Sequence, residues 1–262
     1  MNKKNLTVLF MLVASCVPVI AGGKSEGPTQ QGGVSKGGNA KKYVFATDAN
    51  WPPMEYVGEE GNIVGFDMDL LEAIAQTSGF RYEVVNTDWD GIFTGLADGS
   101  YDAIISSVTI TEERKATMDF SMPYVNAGQM LVVPIDYIGG EALEDFGGKR
   151  VGVQRGTTGD FAVEAVPSVD RRAYNDMDAA IEDLYIGNLE AVVIDSVMAI
   201  DYVAANETFK GKLKVLGEPF TEEQFGIAVQ KGNTELLELI NNGLITVMTD
   251  GTQAQLTNKW LR

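Results

Sequence analysis

The sequence predicts an α/β protein built from two similar lobes, and three observations lead to this class. From Tyr43 onward, apolar stretches of strand length alternate with stretches in which apolar residues recur at helical spacing. One helix–turn–strand pattern occurs twice, over residues 92–107 and 180–195. The chain has 262 residues, 45% of them hydrophobic, which is enough for two lobes rather than one.

The first predicted element is a strand, YVFATD, over residues 43–48. A helix follows in GFDMDLLEAIAQTSGF, where Gly79 is the stop signal. RYEVVN, residues 81–86, predicts the next strand. Asp90 is then expected to cap a second helix.

The repeat is the most informative feature of the pattern. Residues 92–107 read IFTGLADGSYDAIISS, and residues 180–195 read AIEDLYIGNLEAVVID. Each copy predicts an amphipathic helix, a Gly stop, a short turn and a buried strand. The alignment places Ser107 and Asp195 at equivalent positions, the C-terminal ends of two strands. Ligands of open α/β sheets bind outside those ends, so both residues are candidates for a binding site.

The rest of the chain continues the alternation. KRVGVQRGTTGDF, residues 149–161, predicts a strand, a Gly-containing turn and a helix. QFGIAVQKG, residues 224–232, predicts one strand, and a helix is expected over residues 234–248. The sequence closes with a short amphipathic stretch, TQAQLTNKWLR.

The composition excludes several classes of function. Asp and Glu number 37 against 20 Lys and Arg, which gives a net charge of −17. A chain this acidic would repel phosphates, so nucleic acid is not expected as a partner, and the acidity is interpreted as a source of solubility. The chain has no His, which excludes Ser–His–Asp and Cys–His nucleophile systems and His-ligated metals. No cofactor and no metal are expected.

The start of the chain predicts a secretory leader. Residues 1–21 form a signal peptide, with a basic start and an apolar stretch too short to span a membrane. Two processing sites remain open: cleavage before Gly22, or a lipoprotein box in which Cys16 would be lipidated and would anchor the chain. Residues 22–42 are rich in Gly, Ser, Gln and Lys and predict a flexible linker.

The segment SSVTITEERK, residues 106–115, follows a buried strand with hydroxyls and a single arginine. Thr111 is expected to cap a helix, which places Arg114 in the first turn of that helix. A cation there opposes the helix dipole and therefore needs an anion. Two partners remain open: a protein carboxylate such as Glu112 or Asp119, or a ligand carboxylate held by the bidentate guanidinium and the neighbouring hydroxyls.

The segment QRGTTG, residues 154–159, has two interpretations as well. It is either a small anion-binding nest before a helix or a turn in which Thr157 or Thr158 caps that helix. It lacks the spacing of a P-loop, so nucleotide is not expected. Trp51 and Trp89 each follow a strand beside turn residues, which suits either core packing or a partly open aromatic wall.

Together these residues form a chemically consistent set. Asp48 and Asp195 each end a strand, where a carboxylate can also serve as a simple helix cap. With Arg114, the hydroxyls and the two indoles, they supply an anion for an ammonium group and a cation and amides for a carboxylate. A free α-amino acid needs this combination.

The sequence also resembles a known family. The stretches TDANWPPMEY, GNIVGFDMDLLEAIA, DAIISSVTITEERKATMDFSMPY and VGVQRGTTG are similar to the polar amino-acid receptors of ABC importers, the family-3 extracellular solute-binding proteins. The resemblance covers residues 43–262. It implies a two-lobe, periplasmic-binding-protein-like type II fold with a ligand cleft between the lobes. The implied divisions are lobe 1 at 43–124 plus 225–262, lobe 2 at 129–220, and hinge crossovers at 125–128 and 221–224.

The resemblance implies roles for the residues that would hold the amino-acid backbone. Ser107 and Thr109 match residues that bind the α-ammonium and help with the carboxylate. Arg114 matches the carboxylate-binding arginine, which the backbone amide of Thr158 assists. Asp195 matches the ammonium-binding acid of lobe 2.

Three further positions would meet the ligand side chain. Asp48 matches the family's acidic residue there, and Trp51 and Trp89 match the two walls. Because Asp195 and Arg114 would neutralise the backbone charges, Asp48 would be left to balance a cationic side chain, and the indoles suit such a group. Gln154 also replaces a Lys that is frequent in glutamine-type relatives. Arginine or lysine is therefore expected first and glutamine second, with glutamate and bulky apolar ligands poor.

The resemblance implies delivery of the amino acid to an ABC transporter permease by closure of the cleft. The protein would act as a monomer in the periplasm or another extracytoplasmic space, with membrane contact only through lipidation of Cys16. Two other classes of function, a dehydratase and a sensor module, fit the sequence less well. A dehydratase on the same fold would use Glu55 or Asp48 as an acid, but nothing in the sequence marks one with a raised pKa. A sensor module would carry a transmembrane segment downstream, and the sequence given ends at Arg262.

Overall fold

The computed structural model describes residues 29–32 and 40–261. The predicted signal peptide and the predicted lipidation site, Cys16, lie outside the described residues. The strands of the described residues are β1 Thr29–Gly32, β2 Lys42–Thr47, β3 Asn50–Trp51, β4 Glu55–Val57, β5 Ile63–Val64, β6 Arg81–Asn86, β7 Ala103–Ile104, β8 Met118–Phe120, β9 Val125–Ala127, β10 Gln129–Pro134, β11 Arg150–Gln154, β12 Asp170–Tyr174, β13 Ala191–Asp195, β14 Leu213–Leu216, β15 Glu223–Phe225 and β16 Ala228–Gln230. The α-helices are α1 Phe66–Ser78, α2 Trp89–Asp98, α3 Glu112–Thr117, α4 Thr158–Glu164, α5 Met177–Tyr185, α6 Ser196–Ala204, α7 Thr234–Thr249 and α8 Thr252–Trp260.

Two mixed sheets organise these elements. The first has the strand order β1-β6-β2-β7-β16-β8, in which β2 runs parallel to β6 and β7 while β16 runs antiparallel to β7 and β8. The second has the order β12-β11-β13-β10-β14, in which β11 runs parallel to β12 and β13 while β10 runs antiparallel to β13 and β14. We call the unit around the first sheet lobe 1 and the unit around the second lobe 2.

The chain passes between the two sheets twice, and the two passages pair with each other. After β8 it leaves the first sheet through β9, and after β14 it returns through β15. These two short strands form an antiparallel ladder of their own, in which Glu223 lies opposite Ala127 and Phe225 opposite Val125. The hinge positions expected from the sequence fall on and beside this ladder. The lobe boundaries themselves stay a prediction.

Local sequence signals explain how the elements begin and end. Helix α1 follows Gly65, which has φ 133°, and a Cβ there would lie 2.2 Å from the Met54 carbonyl oxygen. Only glycine allows the chain to pass that close. The helix ends at Gly79 in the left-handed conformation, as the sequence predicts. Thr111 caps α3 by accepting a hydrogen bond from the Arg114 amide at 3.1 Å, again as predicted.

Three details differ from the sequence prediction. Helix α2 begins at Trp89 after Asp88, so the predicted cap at Asp90 is wrong: the Gly91 amide already bonds to the Asp88 carbonyl, which places Asp90 inside the first turn. The single strand expected over 224–232 is two strands, β15 and β16, because the first pairs with β9 and the second joins the first sheet. Within the predicted linker, Thr29–Gly32 forms an edge strand on β6, since backbone pairing requires no apolar side chains.

The repeat found in the sequence corresponds to two equivalent pieces of structure. In lobe 1 it is α2 followed by β7, and in lobe 2 it is α5 followed by β13. Both strands are fully buried and central in their sheets. Their C-terminal ends face the space between the lobes, and the candidate site lies there.

Candidate functional site

All eight residues that the sequence proposed for ligand binding line one cavity between the lobes. The space between these residues measures about 330 Å³, including its opening to solvent. Its lining consists of Asp48, Trp51, Glu55, Trp89, Ser106, Ser107, Thr109, Arg114, Gln154, Thr157, Thr158 and Asp195. The binding roles of the eight residues remain a prediction.

The lobes touch each other directly around this cavity. Arg114 Nη2 of lobe 1 donates to the Gly156 carbonyl of lobe 2 at 3.3 Å, and Gln154 Nε2 of lobe 2 donates to Asp48 Oδ2 of lobe 1 at 3.3 Å. The hydroxyls of Thr109 and Thr158 meet across the gap at 3.4 Å. The structure therefore shows a closed arrangement of the cleft.

Arg114 is held by the segment that precedes its helix and by aromatic rings. Its guanidinium donates to the Thr109 carbonyl at 2.9 Å and lies 4.9 Å from the Phe93 ring centroid and 5.6 Å from that of Trp89. Burial lowers the pKa of the guanidinium to about 10, which still leaves it charged at neutral pH.

The alternative partners considered for Arg114 are occupied elsewhere. Glu112 pairs with Lys115 at 2.7 Å, and Asp119 pairs with Lys231 at 2.7 Å. Within residues 40–261, Arg114 forms no ion pair within 4.0 Å. This half-buried cation therefore faces the cavity without a carboxylate in contact, which favours the ligand interpretation over the salt bridge.

Asp195 lies at the opposite wall, on lobe 2. It precedes helix α6, but its side chain makes no capping hydrogen bond, so the simple cap interpretation is wrong for this residue. Its Oδ1 accepts from Gln129 Nε2 at 2.9 Å instead. Burial raises the pKa of its carboxyl to about 8, with a further upward contribution from Glu223 and a downward one from Arg114. A cationic group in the cavity would restore its charge.

Asp48 lies at another part of the cavity and is only 5% exposed. Its carboxylate accepts from Gln154 Nε2 and from Asn50 Nδ2, the latter at 3.1 Å. Burial raises its pKa to about 6, and the charges of Asp88 and Asp176 add to the increase. A positive group beside Asp48 would relieve this repulsion.

Trp51 and Trp89 combine the two uses that the sequence left open. They are 7% and 9% exposed and belong to hydrophobic clusters of the core, yet both line the cavity. Their rings thus form walls that packing holds rigid.

Thr157 and Thr158 have different roles: the first caps a helix and the second faces the cavity. Thr157 caps α4 by accepting from the Asp160 amide at 3.2 Å. The Gly156 amide bonds to Asp160 Oδ2 at 2.9 Å, so this amide of the expected anion nest is already used. The Thr158 hydroxyl is left to face the cavity and donates to Glu223 Oε2 at 2.7 Å.

Glu55 lines the cavity and forms a carboxyl pair with the neighbouring Asp67, and the sequence assigned neither to ligand binding. Glu55 and Asp67 are fully buried. Glu55 accepts from the hydroxyls of Ser106 and Ser107 at 3.0 and 3.2 Å, and Asp67 accepts from the Ser107 amide at 3.0 Å. Burial raises both pKa values, and the charge of Asp67 raises that of Glu55 further, while contact with Glu55 lowers that of Asp67, so the pair retains a proton near neutral pH. Its contacts fix Ser107, which has φ 48° at the point where the chain turns into the site.

Two more residues join the site through hydrogen bonds. Gln129 and Glu223 both contact Thr158, and Gln129 also contacts Asp195. In the sequence they begin β10 and β15 without any motif around them. Only strand pairing reveals them: Gln129 lies opposite Asp195 of β13, and Glu223 lies opposite Ala127 of β9.

A second, open cavity of about 720 Å³ adjoins the first through Asp48 and Trp89. We call it the acidic vestibule, and its charged lining residues are Asp48, Asp88, Asp90, Asp176 and Asp178. These carboxylates come from both lobes. They give the approach to the site a negative potential, which attracts cations.

Neither a metal centre nor a membrane span is evident in the part of the chain that the structure describes. No group of three or more His, Cys, Asp or Glu residues there is arranged to hold a metal ion. No helix there combines the length and the apolar character that crossing a membrane requires.

Comparison with known proteins identifies the family. The sequence profile of the bacterial extracellular solute-binding proteins, family 3, matches residues 43–262. The chain belongs to this family. It is also similar to the L-cystine-binding protein TcyJ of Escherichia coli (strain K12), with 31% identity over 93% of this chain and 91% of the relative.

Solved structures agree with this membership. An ancestral arginine-binding protein bound to arginine superposes with a TM-score of 0.80 and 41% identity, covering 84% of this chain and 98% of the other. An ancestral arginine-binding protein bound to glutamine gives a TM-score of 0.79 and 41% identity over 85% of this chain and 98% of the other. The arginine-, lysine-, histidine-binding protein ArtJ of Geobacillus stearothermophilus gives 0.78 and 37% over 84% and 95%. These matches confirm the predicted family and the two-lobe fold class.

Proposed function

We propose that this protein is an extracytoplasmic receptor that binds a free polar L-amino acid, with arginine or lysine preferred, and delivers it to the permease of an ABC transporter. The observation that carries the proposal is the pair of opposite charges across the cavity. Arg114 of lobe 1 faces the cavity without an ion pair among the described residues, and the buried Asp195 lies on lobe 2. An amino acid supplies the carboxylate and the ammonium that such a pair requires.

The backbone of the ligand would bind as follows. Its α-carboxylate accepts from the Arg114 guanidinium and from the Thr158 backbone amide. Its α-ammonium donates to Asp195 and to the oxygens of Ser107 and Thr109. The names of the relatives support this binding class, since they describe proteins that bind cystine, arginine, lysine and histidine.

The side chain of the ligand would extend between Trp51 and Trp89 toward Asp48. A guanidinium or ammonium group there restores the charge of Asp48 and gains cation–π contact with the indoles. The acidic vestibule adds to this preference, because it attracts a ligand of net positive charge. Arginine and lysine therefore rank first.

Glutamine is the second candidate ligand. Its amide can donate to Asp48 as a neutral group, and an ancestral arginine-binding protein has been solved with glutamine bound. Gln154 favours the cationic ligand over glutamine, because a Lys at that position would neutralise Asp48, whereas an amide leaves the carboxylate partly uncompensated.

Closure of the cleft would couple binding to transport. A ligand that touches Arg114 on one lobe and Asp195 on the other stabilises only the closed form. A complete shift of closure, from 1:99 to 99:1, would require about 5.5 kcal/mol of preference, and a smaller shift requires less; a few buried charge-assisted hydrogen bonds supply energies in this range. The closed form would then dock on the permease. Lobe 1 at 43–124 plus 225–262 and lobe 2 at 129–220 would move about the crossovers.

We also propose that the protein binds its ligand without transforming it, as the family's description as solute-binding proteins suggests. The carboxyls that a dehydratase would use as acids have other tasks here, since Glu55 holds Ser106 and Ser107 and Asp48 faces the side chain. Incubation with arogenate or prephenate is expected to give no product.

The proposal is tested by binding and by shape together. The purified protein is freed of bound ligand in denaturant, refolded and titrated with arginine by calorimetry, and its radius of gyration is measured by small-angle X-ray scattering. Arginine is expected to bind and to reduce the radius. Arg114→Ala is expected to weaken binding by about 2 kcal/mol or more, roughly thirtyfold, because a buried charge pair loses one partner.

The thermal unfolding of Arg114→Ala serves as the control for folding. A variant that unfolds like the original protein but binds arginine with unchanged affinity would show that the carboxylate site is elsewhere. Binding without any change in the radius of gyration would contradict the proposed closure of the cleft but not the proposed binding site.

A further inference from the structure

Glu223 is the one carboxylate that touches ligand-facing side chains of both lobes in the described structure. Its Oε2 accepts from the Thr109 hydroxyl of lobe 1 at 2.9 Å and from the Thr158 hydroxyl of lobe 2 at 2.7 Å. Gln129 Nε2 of lobe 2 lies 3.4 Å from the same oxygen. The family resemblance gave Glu223 no task.

The crossover strands place this carboxylate. Glu223 begins β15, the return crossover, and lies opposite Ala127 of β9. Its Oε1 accepts from the Thr221 hydroxyl at 2.8 Å, and that hydroxyl accepts in turn from the backbone N–H of Gln129 at 2.7 Å. The side chain is thus oriented from the ladder that joins the lobes, with its second oxygen aimed between them.

The contacts of Glu223 also decide what the two hydroxyls can offer a ligand. A threonine hydroxyl has one proton and two lone pairs. When Thr109 and Thr158 give their protons to Glu223, Thr158 uses one lone pair to accept from Gln129 Nε2 at 3.1 Å, and the other lone pairs remain for a donor in the cavity. An α-ammonium is such a donor, and an α-carboxylate is not.

We infer that Glu223 is a positioning residue that fastens one hydroxyl from each lobe, fixing both as acceptors for the ligand's α-ammonium and holding the cleft closed. The inference rests on the proposed function insofar as the ligand is an amino acid. We call the contacts of the Glu223 carboxylate with the Thr109 and Thr158 hydroxyls the latch. The latch joins the two lobes and does not depend on which ligand is bound.

A latch of this kind has a specific consequence for affinity. The apparent affinity of a ligand falls with the fraction of protein in the binding-competent state. Removing the latch lowers that fraction for every ligand alike, and the α-ammonium is common to all amino acids. The loss in Glu223→Ala is therefore expected to be the same for arginine, lysine and glutamine, on the order of tenfold, because two charge-assisted hydrogen bonds are removed.

The pH dependence gives a second, independent readout. The groups that face Asp195 are Arg114 from α3, Glu223 from β15 and the uncharged Gln129 from β10. Asp195 has a pKa of about 8 in the ligand-free protein, and an ammonium ligand lowers it. The free protein then binds more protons than the complex, so affinity rises with pH up to about 8.

The Glu223→Gln variant keeps the shape of the side chain and removes its charge. The pKa of Asp195 then falls, since one source of its increase is gone. The rise of affinity is expected to be complete at a lower pH, by about half a unit or more. A residue that only supported the fold would leave this midpoint where it was.

The experiment compares Glu223→Ala, Glu223→Gln and the matched control Glu222→Gln with the original protein. Glu222 is exposed, and its replacement by Gln makes the same charge change one residue away. Each refolded protein is titrated with arginine, lysine and glutamine between about pH 5 and 9, a range that passes the Asp195 pKa, and its scattering is recorded without ligand. We expect a uniform loss of affinity, a shifted pH midpoint and a larger ligand-free radius of gyration only in the Glu223 variants.

Two results would overturn the inference. One is affinity and pH midpoint in both Glu223 variants equal to those of Glu222→Gln. The other is a loss confined to arginine and lysine, which would make Glu223 a contact of the ligand side chain. If the original protein bound none of the amino acids, the proposed function would fail, and the ligand-free radius of Glu223→Ala would still decide whether the latch exists.

Discussion

At the scale of single residues, the environment of each carboxyl decides its task. Asp48, Asp67 and Asp195 are all buried aspartates with raised pKa values, yet their neighbours differ. Asp67 accepts hydrogen bonds from the Ser107 backbone amide and the Tyr124 hydroxyl, which makes it part of the scaffold. Asp48 and Asp195 face the cavity, and each depends on a positive group there to recover its charge.

Asp48→Asn separates the candidate ligands. The variant is expected to bind arginine and lysine about thirtyfold more weakly, since it removes one partner of a buried charge pair, about 2 kcal/mol. Glutamine should change by roughly threefold or less, because an amide still offers a hydrogen bond of about 1 kcal/mol. Calorimetric titration of each ligand measures both changes.

Asp136→Asn is the matched control for this comparison, since Asp136 is exposed and its replacement makes the same change in charge. Equal losses for arginine and glutamine in Asp48→Asn would mean that Asp48 supports the cavity without selecting the side chain.

Site residues that carry a local sequence signal could be predicted from the sequence. Arg114 could be predicted because a cation in the first turn of a helix, behind a row of hydroxyls, needs an anion. Glu223 and Gln129 could not, because Glu223 joins the site through the pairing of β9 with β15 and Gln129 through the pairing of β10 with β13, where it lies opposite Asp195. Nothing near either residue in the sequence marks these pairings.

At the scale of elements, the two crossover strands control the geometry of the cleft. They form the ladder between the lobes, and Gly128 follows directly after the outgoing strand. A Cβ on Gly128 would lie 2.1 Å from the Thr221 carbonyl oxygen and 3.0 Å from the Pro219 Cβ. The backbone there has no room to yield without moving the ladder.

Gly128→Ala is therefore expected to lower the free energy of unfolding by roughly 1–3 kcal/mol, the usual cost of overpacking. Thermal and denaturant unfolding measure it. Gly147→Ala is the matched control, because its Cβ would meet nothing nearer than 3.6 Å. Equal stability of the two variants would show that the crossover relaxes freely.

The elements also show where sequence patterns fail. Periodicity and Gly stops gave α1 and β6 at nearly their observed bounds. The stretch 224–232 reads as one strand because its apolar pattern is continuous, but its two halves belong to different sheets. Only tertiary pairing separates them, so no local pattern could have placed the break.

At the scale of the whole molecule, the charge of −17 has more than one use. The sequence supported solubility alone as its interpretation. The structure brings Asp88 and Asp90 of lobe 1 beside Asp176 and Asp178 of lobe 2 around one opening. These pairs are almost 90 residues apart in the chain, so the concentration of charge at the mouth of the site became visible only with the fold.

The central claim is that this receptor selects a cationic amino acid through Asp48. The most direct test is calorimetric titration of the ligand-free, refolded protein with arginine, lysine, histidine, glutamine and glutamate at one pH and salt concentration. We expect tight binding of arginine or lysine, weaker binding of glutamine and little binding of glutamate. Tighter binding of glutamine than of both arginine and lysine would contradict it, and Asp48 would then act as a hydrogen-bond acceptor for an amide.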